Sequence, residues 1–135
     1  MKKFTIGSLI FFLVLLLAAG CTSKEITRQD VIGTYVANYD KDKVSVDSIE
    51  VKADGTYTHY FKSAQDATEF TETGTWQFIG YRRGDARVDF YNFTIHFGEP
   101  DGYISEWGVW SPIVQNDGDR LLIDDDLGLH YDKQK

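Results

Sequence analysis

"VKADGTYTHYF" (residues 51–61) reads as a hairpin in miniature: the end of one alternating run, a turn pair, and the start of another. Upstream, Val44 and Val46, then Ile49, Val51 and Ala53, recur at every second position; downstream, Tyr57, His59 and Phe61 keep the same step. A period of two puts alternate side chains on one face of an extended strand. Asp54 and Gly55 suit the positive φ angles of a type I′ turn, so about 44–53 is predicted to pair with 56–62.

The rhythm continues on both sides. Tyr35, Ala37 and Tyr39 alternate before the hairpin, and Trp76 and Phe78 after it; "YRRGDA" then supplies a turn. In "VDFYNFTIHF", Val88 and Phe90 hold one parity while Tyr91, Phe93, Ile95 and Phe97 hold the other. One core cannot take both sets, so a bulge or sharp bend is expected near Phe90 and Tyr91. "ISEWGVW", "PIV", "RLLID" and "LGLHYD" read as further short strands, and "NDGD" at 116–119 as a second hairpin turn. Residues 22–30 and 62–73 resist a strand reading; "SAQDATEFTET" suits a loop or one helical turn. About eight strands in a meander predict a mainly β domain, either a small antiparallel barrel or a two-sheet sandwich.

Three short pieces share one grammar: "GTY" at 33–35, "GTY" at 55–57 and "GTW" at 74–76. Glycine frees the backbone at a turn, threonine re-enters the extended state, and a ring follows. Tyr35, Tyr57 and Trp76 are thereby expected near strand ends, where they either seal a core or frame a ligand opening. In "EWGVWSP" (106–112), Trp107 and Val109 share a face and Trp110 takes the other, so one tryptophan is core and one rim, or both pack against opposite layers. These five rings are the candidate binding surface or cavity rim.

The amino terminus carries a different message. Lys2 and Lys3 precede an apolar run from Phe4 to Gly20, broken only by Thr5 and Ser8, as in an export signal. A plain transmembrane anchor is the rival reading of a run this long. The run ends in "LLAAGC", which resembles the lipobox of bacterial lipoproteins. The resemblance implies cleavage between Gly20 and Cys21 and acylation of Cys21, leaving a signal peptide (1–20), a lipidated tether (21–30) and one β domain (31–135). It also implies an exported protein held on the cell membrane, or on the periplasmic face of the outer membrane in a host with two. Several acyl chains suffice to hold a protein on a bilayer. Cys21 is the only cysteine, so the domain has no internal disulfide. Six Phe, eight Tyr and three Trp remain after residue 20 to fill a core instead.

The whole chain has formal net charge −7, and the side chains that remain without Lys2 and Lys3 sum to −9. Such acidity excludes nucleic acid as a partner and gives no basic patch for anionic lipid, leaving the acylated Cys21 as the link to the bilayer. No cofactor is implied. His59, His96 and His130 have no metal-ligand spacing, and Asp117, Asp119 and Asp124 to Asp126 lack the pattern of a calcium loop. Arg82, Arg83, Gly84 and Asp85 contain the adhesion tripeptide but read first as a polar turn, and the sequon at 92–94 is idle in a bacterial host. Ser105, Glu106 and Ser111, and the carboxylates Glu99 and Asp101, sit in no recognisable catalytic motif.

The mature part, with "VIGTYV", "DGTY", "GTW" and "HYDK", also looks like small exported bacterial β domains of lipocalin-like or otherwise uncharacterised lipoprotein families. Gly33 and Tyr35 stand where lipocalins place their opening glycine and tryptophan, with Tyr in place of Trp. Three functions follow as expectations. The first is a non-catalytic binding or interaction module of the envelope, for an envelope protein or cell-wall component. The second is a lipocalin-like carrier of a small apolar ligand, and the third an envelope hydrolase; the chain is expected not to be an enzyme.

Overall fold

The computed structural model describes residues 24–38, 44–95, 106–126 and 128–135. Its elements are α1 (Arg28–Val31), β1 (Gly33–Ala37), β2 (Val44–Val51), β3 (Thr56–Ser63), β4 (Glu69–Arg82), β5 (Asp85–Ile95), β6 (Glu106–Trp110), β7 (Ile113–Gln115), β8 (Arg120–Asp124) and β9 (Leu129–Lys133). Every pairing is antiparallel. The order β4-β3-β2-β1-β9-β8-β7-β5 closes on itself through β4–β5, with β6 beside β7 on the same edge of β5. Pro112 separates β6 from β7, and the two act as one interrupted strand. The result is an eight-position antiparallel barrel, which decides between the two architectures left open by the sequence.

The 51–61 stretch forms its hairpin, with Val51 opposite Tyr57 and Ile49 opposite His59. The turn type differs from the expectation. Lys52 N–H bonds Thr56 O and Gly55 N–H bonds Lys52 O, and of Asp54 and Gly55 only the glycine has positive φ (89°). This is a three-residue loop ending in a left-handed glycine, stabilised where Asp54 Oδ1 accepts from Thr56 N and Oγ1. The two-residue turn with both central φ positive occurs instead at Arg83–Gly84 (53° and 90°), between the paired Arg82 and Asp85.

Three further expectations resolve in the register. The bend in β5 falls at Asn92, whose φ is 60° and where the pairing with β6 slips, so that Phe90 and Phe93 are both buried despite opposite parity. A slip between Val44 and Val46 in β2 separates those two valines: Val44 is buried, while Val46 is 37% exposed and Asp47 takes the inward position. Of residues 62–73, expected to form a loop or one helical turn, 62–63 end β3 and 69–73 open the long β4. Gly74 accordingly lies within a strand, not at a turn; an added Cβ there would strike Tyr91 O and the Tyr57 ring.

Alternation of the meander puts the turns 52–55, 83–84 and 116–119 at one end, and the last residues of β1, β3, β5 and β8 with the first residues of β2, β4, β6 and β9 at the other. The first end is sealed by α1. Asp30 Oδ2 accepts from Thr27 N and Oγ1 to start the helix, and Val31 is fully buried. Tyr35 Oη shares its proton between Val31 O (2.9 Å) and Gly118 O (2.7 Å), while Arg28 lies 4.6 Å over the Trp76 ring and donates to Ala53 O. Burial raises the Tyr35 phenol well above its usual pKa and keeps it a donor. The segment from Lys24, read as tether, is therefore already in contact with the barrel: Ile26 N–H donates to Tyr81 Oη at 2.7 Å. The opposite end has no such helix among the described residues and is termed the mouth.

Candidate functional site

Of the five rings singled out in the sequence, Tyr35, Tyr57, Trp76 and Trp110 lie inside the barrel, none more than 8% exposed. Trp76 Nε1 bonds Lys52 O at the sealed end. Trp110 stacks on Phe93 at 4.8 Å and meets Tyr131 at 5.5 Å, and Tyr57 meets Phe90 edge-on at 5.3 Å. Its neighbour Val109 is 56% exposed. The side chain of Trp107 lies outside the described residues, as do Gly20, Cys21, the whole of 1–23, His96, Glu99, Asp101 and Ser105.

Above these rings the interior turns polar. His59, fully buried on β3, points one ring nitrogen at each of two carboxylates: Nε2 is 2.8 Å from Asp47 Oδ1 on β2, and Nδ1 is 2.8 Å from Glu72 Oε1 on β4. Tyr131 Oη on β9 lies 2.8 Å from both Asp47 oxygens. Thr94 on β5 donates to Glu72 twice, through N (2.7 Å to Oε1) and Oγ1 (2.7 Å to Oε2). Phe93 stacks on the imidazole at 4.4 Å and Phe70 meets it edge-on at 5.4 Å. Five strands thus contribute to one cluster, two aromatic rings confine it, and the Glu72 side chain keeps 19% exposure.

Neutral imidazole has one donor and one acceptor. With a carboxylate at each nitrogen His59 must donate twice, so the geometry calls for imidazolium. Burial alone would lower its pKa, but the hydrogen bonds and charges of Asp47 and Glu72 outweigh burial and raise it. For Glu72, burial pulls upward and loses to the bonds from His59 and Thr94, so its pKa falls. The Tyr131 and Thr94 hydroxyls each aim their proton at a carboxylate.

The cluster also closes the barrel wall. Backbone pairing of β4 with β5 ends at Thr75–Tyr91, beyond which the strands part at Asn92. Side chains take over: Tyr57 Oη reaches through the space left by Gly74 to Tyr91 O (2.9 Å) and Asn92 O (2.8 Å), and Glu72 holds Thr94. Burial and the Glu72 charge raise the Tyr57 pKa far above the phenol range, preserving that donor.

Sequence reasoning left His59 as an ordinary sheet residue and passed over Asp47, Glu72 and Thr94. Its inward parity with Tyr57 and Phe61 was the available signal, together with Glu72 standing an even number of residues before Trp76. Among the described residues no group of three His, Cys, Asp or Glu converges on a metal position, and no helix is long and apolar enough to cross a membrane. Compared with protein-family models, curated proteins and solved structures, the chain matches none. Fold and site together define its class: a small antiparallel β-barrel, plugged at one end and braced by a buried charge cluster toward the other, compatible with a non-catalytic binding or carrier module.

Proposed function

We propose that the protein is a lipoprotein of the bacterial cell envelope, anchored through acylated Cys21, whose barrel is a non-catalytic binding or interaction module. The observation that carries this reading is where the tether joins the fold. Lys24 to Val31 pack on the sealed end, so an anchor at Cys21, three residues before Lys24, would hold that end to the bilayer and turn the mouth outward. The lipobox-like "LLAAGC" supplies the anchor itself.

The interior supports recognition by mouth and outer wall. A carrier of lipocalin type has the same eight-stranded architecture but an open calyx. Here Phe90, Phe93, Trp110 and Tyr131 touch one another in the middle of the barrel, where a ligand would lie.

Fractionation tests the anchor: the wild-type chain should sediment with membranes, and Cys21→Ser should leave them or accumulate uncleaved. Identical behaviour of the two forms would count against it. Titration with an apolar fluorophore tests the interior; saturable one-to-one binding that quenches tryptophan emission would favour the carrier.

A further inference from the structure

Charge is unevenly spread: among the described residues the mouth half is acidic, while at the sealed end nine Lys and Arg are balanced by nine Asp and Glu. Lys62 is the only Lys or Arg among the described residues in the mouth half of the barrel; the others cluster toward the sealed end. Asp47, Asp66, Glu69, Glu72, Asp125 and Asp126 lie in the mouth half. Beside the sealed end, on the outer wall across β4, β5 and the β6–β7 break, a groove of about 570 Å³ is lined by Ile79, Arg82, Arg83 and Arg87. Asp85, Asp89 and Ser111 complete it. Asp89 is engaged by the Ser111 hydroxyl at 2.6 Å, and Arg87 Nη1 donates to Ser111 O at 3.3 Å. Among the described residues no ion pair joins these arginines to a carboxylate, and Arg82 and Arg83 are exposed.

The groove adjoins the tether. Tyr81, next to Arg82, receives the Ile26 N–H bond. Cys21 is five residues from Ile26, a span of about 17 Å at full extension. We infer that Arg82, Arg83 and Arg87 form a docking surface for the phosphates of an anionic lipid bilayer, set beside the anchor so that the barrel stands on its sealed end. Guanidinium forks match phosphate oxygens, and the acidic mouth half is repelled by the same surface. The orientation rests on the anchor proposed above; the groove's affinity for anionic lipid does not.

The test uses the lipidated chain in phosphatidylcholine vesicles with and without phosphatidylglycerol, and reads phenylglyoxal modification of each arginine by mass spectrometry. Phosphatidylglycerol should slow modification of Arg82, Arg83 and Arg87 by about five-fold each. Arg120, paired with Asp132, should be unaffected. R82Q/R83Q should abolish the residual protection at Arg87. Equal rates in both vesicles would overturn the inference, and so would equal protection by inorganic phosphate without vesicles, which would mean a free-anion site. If intact mass shows Cys21 unacylated, the anchor fails separately. Flotation of that chain with phosphatidylglycerol vesicles then decides: binding weakened by R82Q/R83Q upholds the docking surface, and no binding overturns it.

Discussion

His59 shows how one residue can set the pH range of a fold. Its imidazolium sits between Asp47 and Glu72, and each carboxylate relies on it for countercharge. His59→Leu would leave the buried Asp47 and the part-buried Glu72 without their countercharge, a change expected to cost about 3–5 kcal/mol and measurable as a shift in urea midpoint. Tyr131→Phe removes a donor to Asp47 and should cost about 1.5–3 kcal/mol. Because the folded pKa of His59 lies above the unfolded value, its contribution is full below about pH 6.5 and is lost as pH rises through the folded pKa. Glu72 is the opposite case: its folded pKa is depressed, so its contribution is present above about pH 4.3 and lost as pH falls through the folded value. Stability from this pair should therefore peak in the mildly acidic range. The alkaline decline should be absent from His59→Leu, as denaturation midpoints across the pH range would show.

At the level of elements, the β4–β5 seam depends on a missing side chain. Gly74→Ala drives a Cβ into Tyr91 O and the Tyr57 ring, and should cost about 1–3 kcal/mol. Hydrogen exchange at Asn92 to Thr94 should accelerate with it. Gly108→Ala on β6, where an added Cβ meets nothing within 4 Å, is the control and should stay within about 0.5 kcal/mol. These elements also mark how far the sequence could be read. The hairpin around Asp54–Gly55 was legible because alternation and turn chemistry agree there, and the β5 bend because opposite parities of large rings cannot share one core. The charge cluster was not. A slip in β2 turned Asp47 inward against the parity of Val44 and Val46, and Glu72 and Gly74 erased the apolar signal from the inner face of β4. Pattern reading assigns charged residues to water; here, three inward-facing ones satisfy each other.

Over the whole molecule, the two ends of the barrel differ in construction. The sealed end is tied down by α1, Tyr35, Trp76 and Gly118 and carries most of the cations; toward the mouth the wall is braced by the His59 cluster. Such polarity suits a module mounted on a surface by one end, and the proposed mounting point is Cys21. Intact mass of the protein extracted from host membranes tests that most directly. The account expects a chain beginning at Cys21 and carrying a diacylglyceryl group, with or without a further acyl chain on its new amino terminus; a membrane-extracted chain that retains residues 1–20, or that bears an unmodified Cys21, would contradict it.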